Sequence, residues 1–250
     1  MPRGPREKSS TGIYHVMLRG INKQTIFEDD EDHEKFLQIL RDCKTISEFE
    51  LYAYCLMGNH VHLLLKEGKE SVAQIFKRIG ARYVFWYNWK YMRCGHLFQD
   101  RYKSEAVEDD PYFAVVLRYI HQNPKKAGLC ATLDEYKWSS YNDYIRKSEI
   151  IDYRFTYGIV DENKFKKFMS EDNDDDCLEH ADQRKRLSDD ELLMEIKERF
   201  KINADSIQSK PRDSMECILN DIMKIDGVST RQLSRVTGIS TNIIWNLKSE

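Results

Sequence analysis

The sequence predicts an α+β protein, with a ferredoxin-like antiparallel sheet that has helices on one face, followed by a small all-α C-terminal domain. Three observations lead to this fold class. Segments of strand and helix periodicity follow the order strand, helix, strand, strand, helix, strand. The two middle strands are separated only by a Gly-Asn dipeptide, which indicates a hairpin. After residue 187 the pattern is helical throughout.

The first strand and helix come from residues 12–46. Residues 12–19 alternate as a strand does, so that Ile13, His15, Met17 and Arg19 share one face. Residues 31–46 carry apolar side chains at helical spacing, which predicts the first helix.

The predicted hairpin joins residues 51–57 to 61–66. At its turn His60 and His62 flank Val61 and precede three leucines. Residues at i and i+2 of a strand share a face, so the two imidazoles are expected to point the same way. Two such imidazoles form half of a divalent-metal site and need one or two oxygen ligands from elsewhere. A histidine-apolar-histidine triplet also arises by chance, so the triplet alone leaves a purely structural role open.

The second half of the sheet domain begins with a helix after Ser71, whose outer face carries basic residues. Residues 95–107 begin as a loop and end as the fourth strand. The next helix is predicted from residue 112 to about 122, because Asp-Asp-Pro precedes it and Asn123-Pro124 follows it.

The domain boundaries are predicted from changes in composition. Residues 1–150 form the sheet domain, residues 151–186 form a linker with a short helix and an acidic run, and residues 187–250 form the helical domain. Within it, residues 230–247 have the apolar pattern of a helix-turn-helix with Gly238 at the turn. That pattern predicts sequence-specific binding of duplex DNA, and the alternative is a small helical interaction domain.

Composition narrows the class of protein further. The formal net charge of the 250 residues is only -3, but basic residues predominate from 66 to 103 and acidic residues at 171–176. One part of the chain therefore appears suited to polyanions. Six scattered cysteines lack paired metal-ligand spacing, which argues against a zinc ribbon. Without a secretory signal or a long apolar run, we expect a cytoplasmic protein with no membrane partner.

Tyr119 is a candidate nucleophile on the helix after Pro111. Tyr119 and Asn123 are four residues apart and share a helix face, which could bring a phenol and an amide oxygen to the two imidazoles. A phenol titrates near ~10 and is a poor nucleophile until a base or a cation favours the phenolate. Bound Mg²⁺ or Mn²⁺ would polarise a phosphodiester. Together these groups suggest a tyrosine nuclease, although position alone leaves Tyr87, Tyr91 and Tyr112 as rivals.

Five segments between residues 10 and 145 resemble, in the same order, the REP-associated tyrosine transposases, which are single-tyrosine, HUH-type transposases. The segments read YHVMLRGINKQTIFEDDEDHEKF, AYCLMGNHVHLLLK, GHLFQDRYKS, LRYIHQNPKKAGL and YKWSSY. The resemblance implies that His60 and His62 bind the metal and that Tyr119 is the nucleophile. Asn123 stands where relatives have a third metal ligand, often Gln.

The same resemblance implies a function. Members of the family bind single-stranded DNA hairpins at repetitive extragenic palindromes or element ends. They nick and rejoin the DNA through a 5′-phosphotyrosine that leaves a free 3′-hydroxyl, and they act as monomers or as dimers that exchange the tyrosine helix. The alternative is a DNA-binding regulator descended from such an enzyme that no longer cuts. A replication initiator or relaxase is a more distant alternative.

Several cationic or polar side chains are candidate DNA ligands. Arg19, Arg101 and Lys103 are expected near the working face of the sheet, where they would hold phosphates. Arg82 lies on the basic face of its helix, and Arg231 and Asn242 lie in the predicted helix-turn-helix. For any one of them, a solvated surface residue is the alternative. His15 shares a face with Arg19 but is expected to be a core histidine.

Overall fold

The computed structural model describes residues 8–173, 175, 177–178, 187–225 and 228–246. The chain divides into two compact units, residues 1–179 and 180–250. Each unit has its own apolar core.

The first unit contains a four-stranded antiparallel sheet with the strand order β2-β3-β1-β4. This order, produced by a strand-helix-strand repeat, is that of a ferredoxin-like fold, so the predicted fold class is confirmed. The elements are β1 (Ile13–Arg19), α1 (Asp30–Ser47), β2 (Glu50–Met57), β3 (His60–Lys66), α2 (Val72–Lys90) and β4 (Lys103–Ala106).

Local sequence determines where the helices begin. The side chain of Asp29 accepts from the backbone N–H of Asp32 in a capping box, and Ser71 caps α2 in a similar way. The helix α3 (Asp110–Lys126) is capped by Asp109 and has Pro111 in its first turn. These starts agree with the predicted ones.

The helix α3 continues beyond its predicted end. It reaches Lys126 with Pro124 inside it. Proline has no backbone N–H, so a proline within a helix removes one backbone hydrogen bond. For this reason the sequence predicted that the helix ends at Asn123. Residues 119–124 are instead all buried, so tertiary packing holds this last stretch in helical form.

The predicted linker needs correction, because most of residues 151–178 pack into the first unit. Three short helices follow α3, and they are α4 (Tyr141–Arg146), α5 (Tyr153–Ile159) and α6 (Phe165–Ser170). Phe165 and Met169 are fully buried in the core. The acidic run is not simply solvated either, since Asp175 pairs with Arg118 of α3 at 2.7 Å. Glu171 and Asp172 also lie near cations of α3, a connection that composition alone did not give.

The sheet is covered on both faces. On one face, the helices α1 and α2 pack together through rings such as Phe36 and Tyr83, whose centroids are 5.1 Å apart. The apolar residues of this face include the cross-strand pair Val16 and Leu63. The helix α3 lies against the opposite face, where its Tyr119 ring contacts His62. The helices of the strand-helix-strand repeat therefore lie on one face, as predicted, and α3 encloses the other.

The outer edge of β2 is covered by residues 138–140. The backbone N–H of Leu56 donates to the Trp138 carbonyl at 2.9 Å, and the N–H of Ser140 donates to the Tyr54 carbonyl at 2.9 Å. The Ser140 hydroxyl in turn accepts from the N–H of Tyr54. This short segment occupies hydrogen-bonding positions that another strand would use.

The second unit is all-α in its described part, which confirms the predicted class of the C-terminal region. Its helices are α7 (Asp189–Phe200), α8 (Arg212–Met223), α9 (Thr230–Thr237) and α10 (Thr241–Asn246). Gly238, between α9 and α10, has a φ of +69°, and a Cβ there would meet the side-chain amide of Gln208. This left-handed backbone favours glycine at the turn. In the part of the chain that is described, no helix has the length and apolarity to cross a bilayer.

Candidate active site

The two histidines of β3 lie side by side on the face of the sheet that α3 covers. His62 is fully buried and His60 nearly so. Their ring centroids are 5.0 Å apart, and the ring planes are almost perpendicular. The alternation of the strand thus places both imidazoles on one face, as the sequence predicted.

Tyr119 reaches the same place from α3. Its ring is 3% exposed, and its centroid lies 5.7 Å from that of His62 in an edge-on contact. A second edge-on contact, at 5.8 Å, joins it to His15. The ammonium of Lys126 lies 6.0 Å from the centre of the phenol ring, where a cation would favour the phenolate. The predicted meeting of phenol and imidazole therefore occurs in the structure.

The hydroxyls of the three rival tyrosines, Tyr87, Tyr91 and Tyr112, are hydrogen-bonded to carboxylates. The Tyr91 hydroxyl donates to Asp32 at 2.8 Å, and burial together with this bond raises its pKa to about 12. Burial and a neighbouring glutamate also raise the pKa of Tyr87 to about 12. Burial, with a hydrogen bond to Glu105, raises the pKa of Tyr112 well above its ordinary value. A phenol that donates to a carboxylate is harder to deprotonate, which makes these three poor nucleophiles.

Each imidazole of the pair is held through its Nδ1 atom. Nδ1 of His60 is 2.6 Å from the amide oxygen of Asn59, and Nδ1 of His62 is 3.0 Å from Nε2 of His15. Burial, reinforced by the neighbouring rings of His15 and His60, lowers the pKa of His62 well below its usual value. His62 is therefore neutral at neutral pH, which is the form that binds metals.

The donor set can be tested against a divalent cation. Metal-ligating histidines usually have their second ring nitrogen held by a neighbour, as it is in both residues here. Asn123 is buried one turn after Tyr119 and would supply an amide oxygen. Among the described residues, no group of three or more His, Cys, Asp or Glu is arranged to hold a metal. The two imidazoles fit a divalent cation as nitrogen ligands, and the amide of Asn123, water and phosphate oxygens would be its other ligands.

The predicted phosphate ligands divide into two groups. Arg19 lies directly opposite His60 in the β1–β3 pairing, and Lys103 lies opposite Met17, which is itself opposite His62. These two cations therefore belong to the site face. Arg101 is exposed just before β4.

Arg82 is not brought to this site. It lies on α2, which covers the other face of the sheet, and its guanidinium is 3.6 Å from the carboxylate of Asp42 in α1. The basic outer face of α2 was predicted correctly, but its side chains bind neighbouring acids rather than the histidine face.

In the second unit, a helix, a glycine turn and another helix occur where they were predicted. Arg231 is exposed on α9, while Arg235 pairs with Asp189 at 2.7 Å. The side chain of Asn242 lies outside the described part of the structure, so its predicted role in binding DNA is not tested.

Sequence reasoning missed two side chains of the site, His15 and Glu105. The alternation of β1 did place His15 on the face of Arg19, but it gave no partner for the ring. Glu105 lies directly opposite His15 in the β1–β4 pairing. Only the register of two strands distant in sequence reveals this neighbour.

The antiparallel sheet, its two adjacent imidazoles and the phenol packed against them lie within a stretch of the chain that matches a known protein family. Residues 8–123 match the family model described as "Transposase IS200 like". Over these residues the chain is similar to the IS200-like transposases.

Solved structures are also similar to this chain. A REP-associated tyrosine transposase bound to a REP hairpin is 14% identical, with a TM-score of 0.54 over 72% of this chain and 96% of that chain. This likeness shows the shared fold. A putative transposase from Deinococcus radiodurans R1 is 22% identical and covers 47% of this chain and 95% of that chain, with a TM-score of 0.35 that supports no structural argument. No curated protein matches the chain.

Proposed function

We propose that the first unit nicks and rejoins single-stranded DNA at hairpins formed by palindromic repeats or element ends, with Tyr119 as the nucleophile. The observation that carries the proposal is the edge-on contact between Tyr119 and His62, the second histidine of the triplet. The hydroxyls of the three rival tyrosines are hydrogen-bonded to carboxylates, which supports the same choice.

The proposed reaction is a transesterification. The Tyr119 oxygen forms a bond to phosphorus as the bond from phosphorus to the 3′-oxygen breaks. The phenolic proton is lost, and the departing oxygen takes up a proton to become a free 3′-hydroxyl. The product is a 5′-phosphotyrosine, and attack by another 3′-hydroxyl reverses the step and rejoins the DNA. One phosphodiester is exchanged for another, so no external energy source is needed.

Mg²⁺ or Mn²⁺ is the cofactor we propose, held by His60, His62 and Asn123. When bound, such a cation polarises the phosphodiester and offsets the charge that develops on its oxygens. The chain itself fixes the ring orientations through Asn59 and His15. Arg19 and Lys103, on the same face, would bind the DNA backbone, as Arg101 would at its edge.

The proposed DNA partner is a single-stranded hairpin, by analogy with the similar structure that holds a REP hairpin. For the second unit, we propose a separate role in which the helix after Gly238 reads duplex DNA. Arg231 and Asn242 would contact the duplex in that arrangement. The alternative role for this unit is contact with another protein.

The proposal is tested with labelled hairpins from the DNA that flanks the gene, in Mg²⁺ or Mn²⁺. The wild-type chain should form a covalent adduct that survives a denaturing gel. Tyr119→Phe retains the ring, so it should bind the hairpin and form no adduct. Tyr91→Phe, the matched control, should still form it.

Three results would contradict the proposal. A wild-type chain that binds hairpins tightly without forming an adduct would favour the non-cleaving regulator. If Tyr119→Phe forms the adduct and Tyr112→Phe does not, the nucleophile is Tyr112. A residual rate only ~10²–10⁴-fold below wild type would indicate that Tyr119 assists rather than attacks.

A further inference from the structure

Three polar side chains cross three adjacent strands of the sheet in a line: His62 of β3, His15 of β1 and Glu105 of β4. Glu105 is directly opposite His15 in the β1–β4 pairing. Met17, two residues after His15 on the same face of β1, is directly opposite His62. Residues opposite each other in an antiparallel pair share a face. All three side chains therefore lie on the face that carries the candidate active site.

The line is continuous in space. Nε2 of His15 is 3.0 Å from Nδ1 of His62. Nδ1 of His15 is 3.8 Å from the Glu105 carboxylate, which is long for a direct hydrogen bond but close enough for the carboxylate to orient the dipole of the ring. Both rings are fully buried, where weak screening makes the orientation of each ring dipole energetically significant.

The carboxylate determines which way the protons lie. An ionised carboxylate only accepts, so it favours a proton on the His15 nitrogen that faces it, Nδ1. A neutral His15 then has a lone pair on Nε2, and the 3.0 Å contact requires His62 to donate from Nδ1. The remaining nitrogen of His62, Nε2, consequently carries the lone pair. The amide oxygen of Asn59 selects the same tautomer in His60.

We propose that Glu105 acts through His15 to hold His62 in the tautomer with its lone pair on Nε2. Glu105 and His15 are thus positioning residues, since His15 contacts His62 and Glu105 contacts His15. The role of this tautomer in cleavage rests on the proposed function. The assignment of the tautomer does not depend on that function.

Glu105 is itself anchored for this role. It accepts from the Tyr112 hydroxyl and from the backbone N–H of Leu178. The neighbouring His15 ring, followed by Tyr112, holds the pKa of Glu105 below its usual value, so the carboxylate is ionised at neutral pH. A rival explanation is that the two histidines merely satisfy each other within the core and that Glu105 plays no part.

The first experiment reads the tautomers directly, by nitrogen NMR of the full chain labelled at histidine and free of metal. In the wild type the proton of His62 should be on Nδ1. Glu105→Gln removes the charge at nearly constant shape, and because an amide both donates and accepts, His62 should become a mixture of tautomers. Glu108→Gln, the same substitution three residues away, should behave as the wild type does.

The second experiment measures Mn²⁺ affinity in the absence of DNA. Loss of a group that supports a metal ligand typically weakens binding about 10–100-fold, which is the effect expected of Glu105→Gln but not of Glu108→Gln. Wild-type His62 with its proton on Nε2, or an unchanged tautomer in Glu105→Gln, would overturn the proposal. An altered tautomer with unchanged Mn²⁺ affinity would overturn the positioning role.

The two proposals fail in different ways. If the wild type neither binds Mn²⁺ nor cuts hairpins, the proposed function is wrong, and the NMR comparison still decides whether Glu105 sets the tautomer. If the wild type does both and Glu105→Gln matches it in every measurement, only the positioning role is lost.

Discussion

The two faces of the sheet are equally buried but chemically opposite. The same strands contribute Val16 and Leu63 to the face under α1 and α2, and His15 and His62 to the face under α3, and all four side chains are fully buried. Burial of an apolar side chain contributes about 1.5–3 kcal/mol to stability. A buried polar group without a partner costs about 1–3 kcal/mol.

This difference separates folding from function. The apolar face needs no explanation beyond stability. The polar face stabilises the fold less than leucines and valines would, so its side chains are better explained by chemistry. Sites that break the local rules of folding in this way are where function is expected. The contrast predicts different consequences for substitutions on the two faces.

The largest effect is expected from His60→Ala on the polar face. Cleavage in Mg²⁺ or Mn²⁺ should fall by more than the ~10–100-fold that a supporting residue is worth, because a proposed ligand is removed. Thermal unfolding should change little. The matched control is His96→Ala, an exposed histidine of the same unit, which should cut normally. Full activity of His60→Ala, or undiminished wild-type cleavage in the presence of a chelator, would contradict the predicted functional difference between the two faces.

On the apolar face, Leu63→Ala should have the opposite profile. Leu63 is fully buried, so its truncation should lower the free energy of unfolding by about 2–5 kcal/mol. Cleavage per folded molecule should stay near the wild-type value in a single-turnover assay at low temperature. Leu129→Ala, at an exposed position, is the control for stability. A loss of cleavage beyond the loss of folded protein would mean that the apolar face also shapes the site.

His121 tests whether every buried histidine is functional. It lies in α3 among aromatic rings, with Nε2 2.8 Å from the Ser140 hydroxyl, and burial lowers its pKa to about 3. The unfolded chain takes up a proton below about 6.5, where the folded chain does not. Stability from this residue is therefore complete above pH 6.5 and declines as the pH falls towards 3, by up to about 1.4 kcal/mol per unit.

Urea unfolding between pH 7 and pH 5 measures this slope. His121→Gln should reduce it, although His33 and His62, whose pKa values are also lowered, retain a contribution of the same sign. His96→Gln should leave it unchanged. An undiminished slope in His121→Gln would show that the residue is already protonated in the folded state. Hairpin cleavage by His121→Gln at pH 7 should resemble that of the wild type.

The smallest effect is expected from removing the second unit. A chain that ends at residue 179 should still cut a short single-stranded hairpin, because the described site lies wholly within the first unit, but it should select less well among longer targets. A chain that ends at Ser170 should fare worse, since it lacks Asp175 and Leu178, the partners of Arg118 and Glu105. Unchanged target selection by the first truncation would favour a protein partner for the second unit.

Local features of this fold could be predicted from the sequence. The helix starts at Asp29, Ser71 and Asp109 follow from capping chemistry within a few residues. The shared face of His60 and His62 follows from strand geometry. The position of Tyr119 opposite them followed from its helix and from the resemblance to known transposases.

Features that depend on distant pairing could not be predicted. The role of Glu105 depends on the register between β1 and β4, which no local pattern encodes. The end of α3 was misplaced because packing outweighs the effect of Pro124. Residues 151–178 resembled a linker because their few buried side chains, such as Phe165 and Met169, are dispersed among charges. Only the folded core shows that they belong to the first unit.

Residues 138–140 have a consequence for how copies of the chain meet. An unpaired strand edge invites another chain to add a strand, with aggregation as the risk. On the β2 side, residues 138–140 already occupy backbone positions that such an incoming strand would need. The opposite edge is the four-residue β4, which offers a short template. Copies of the chain are thereby hindered from joining sheet to sheet.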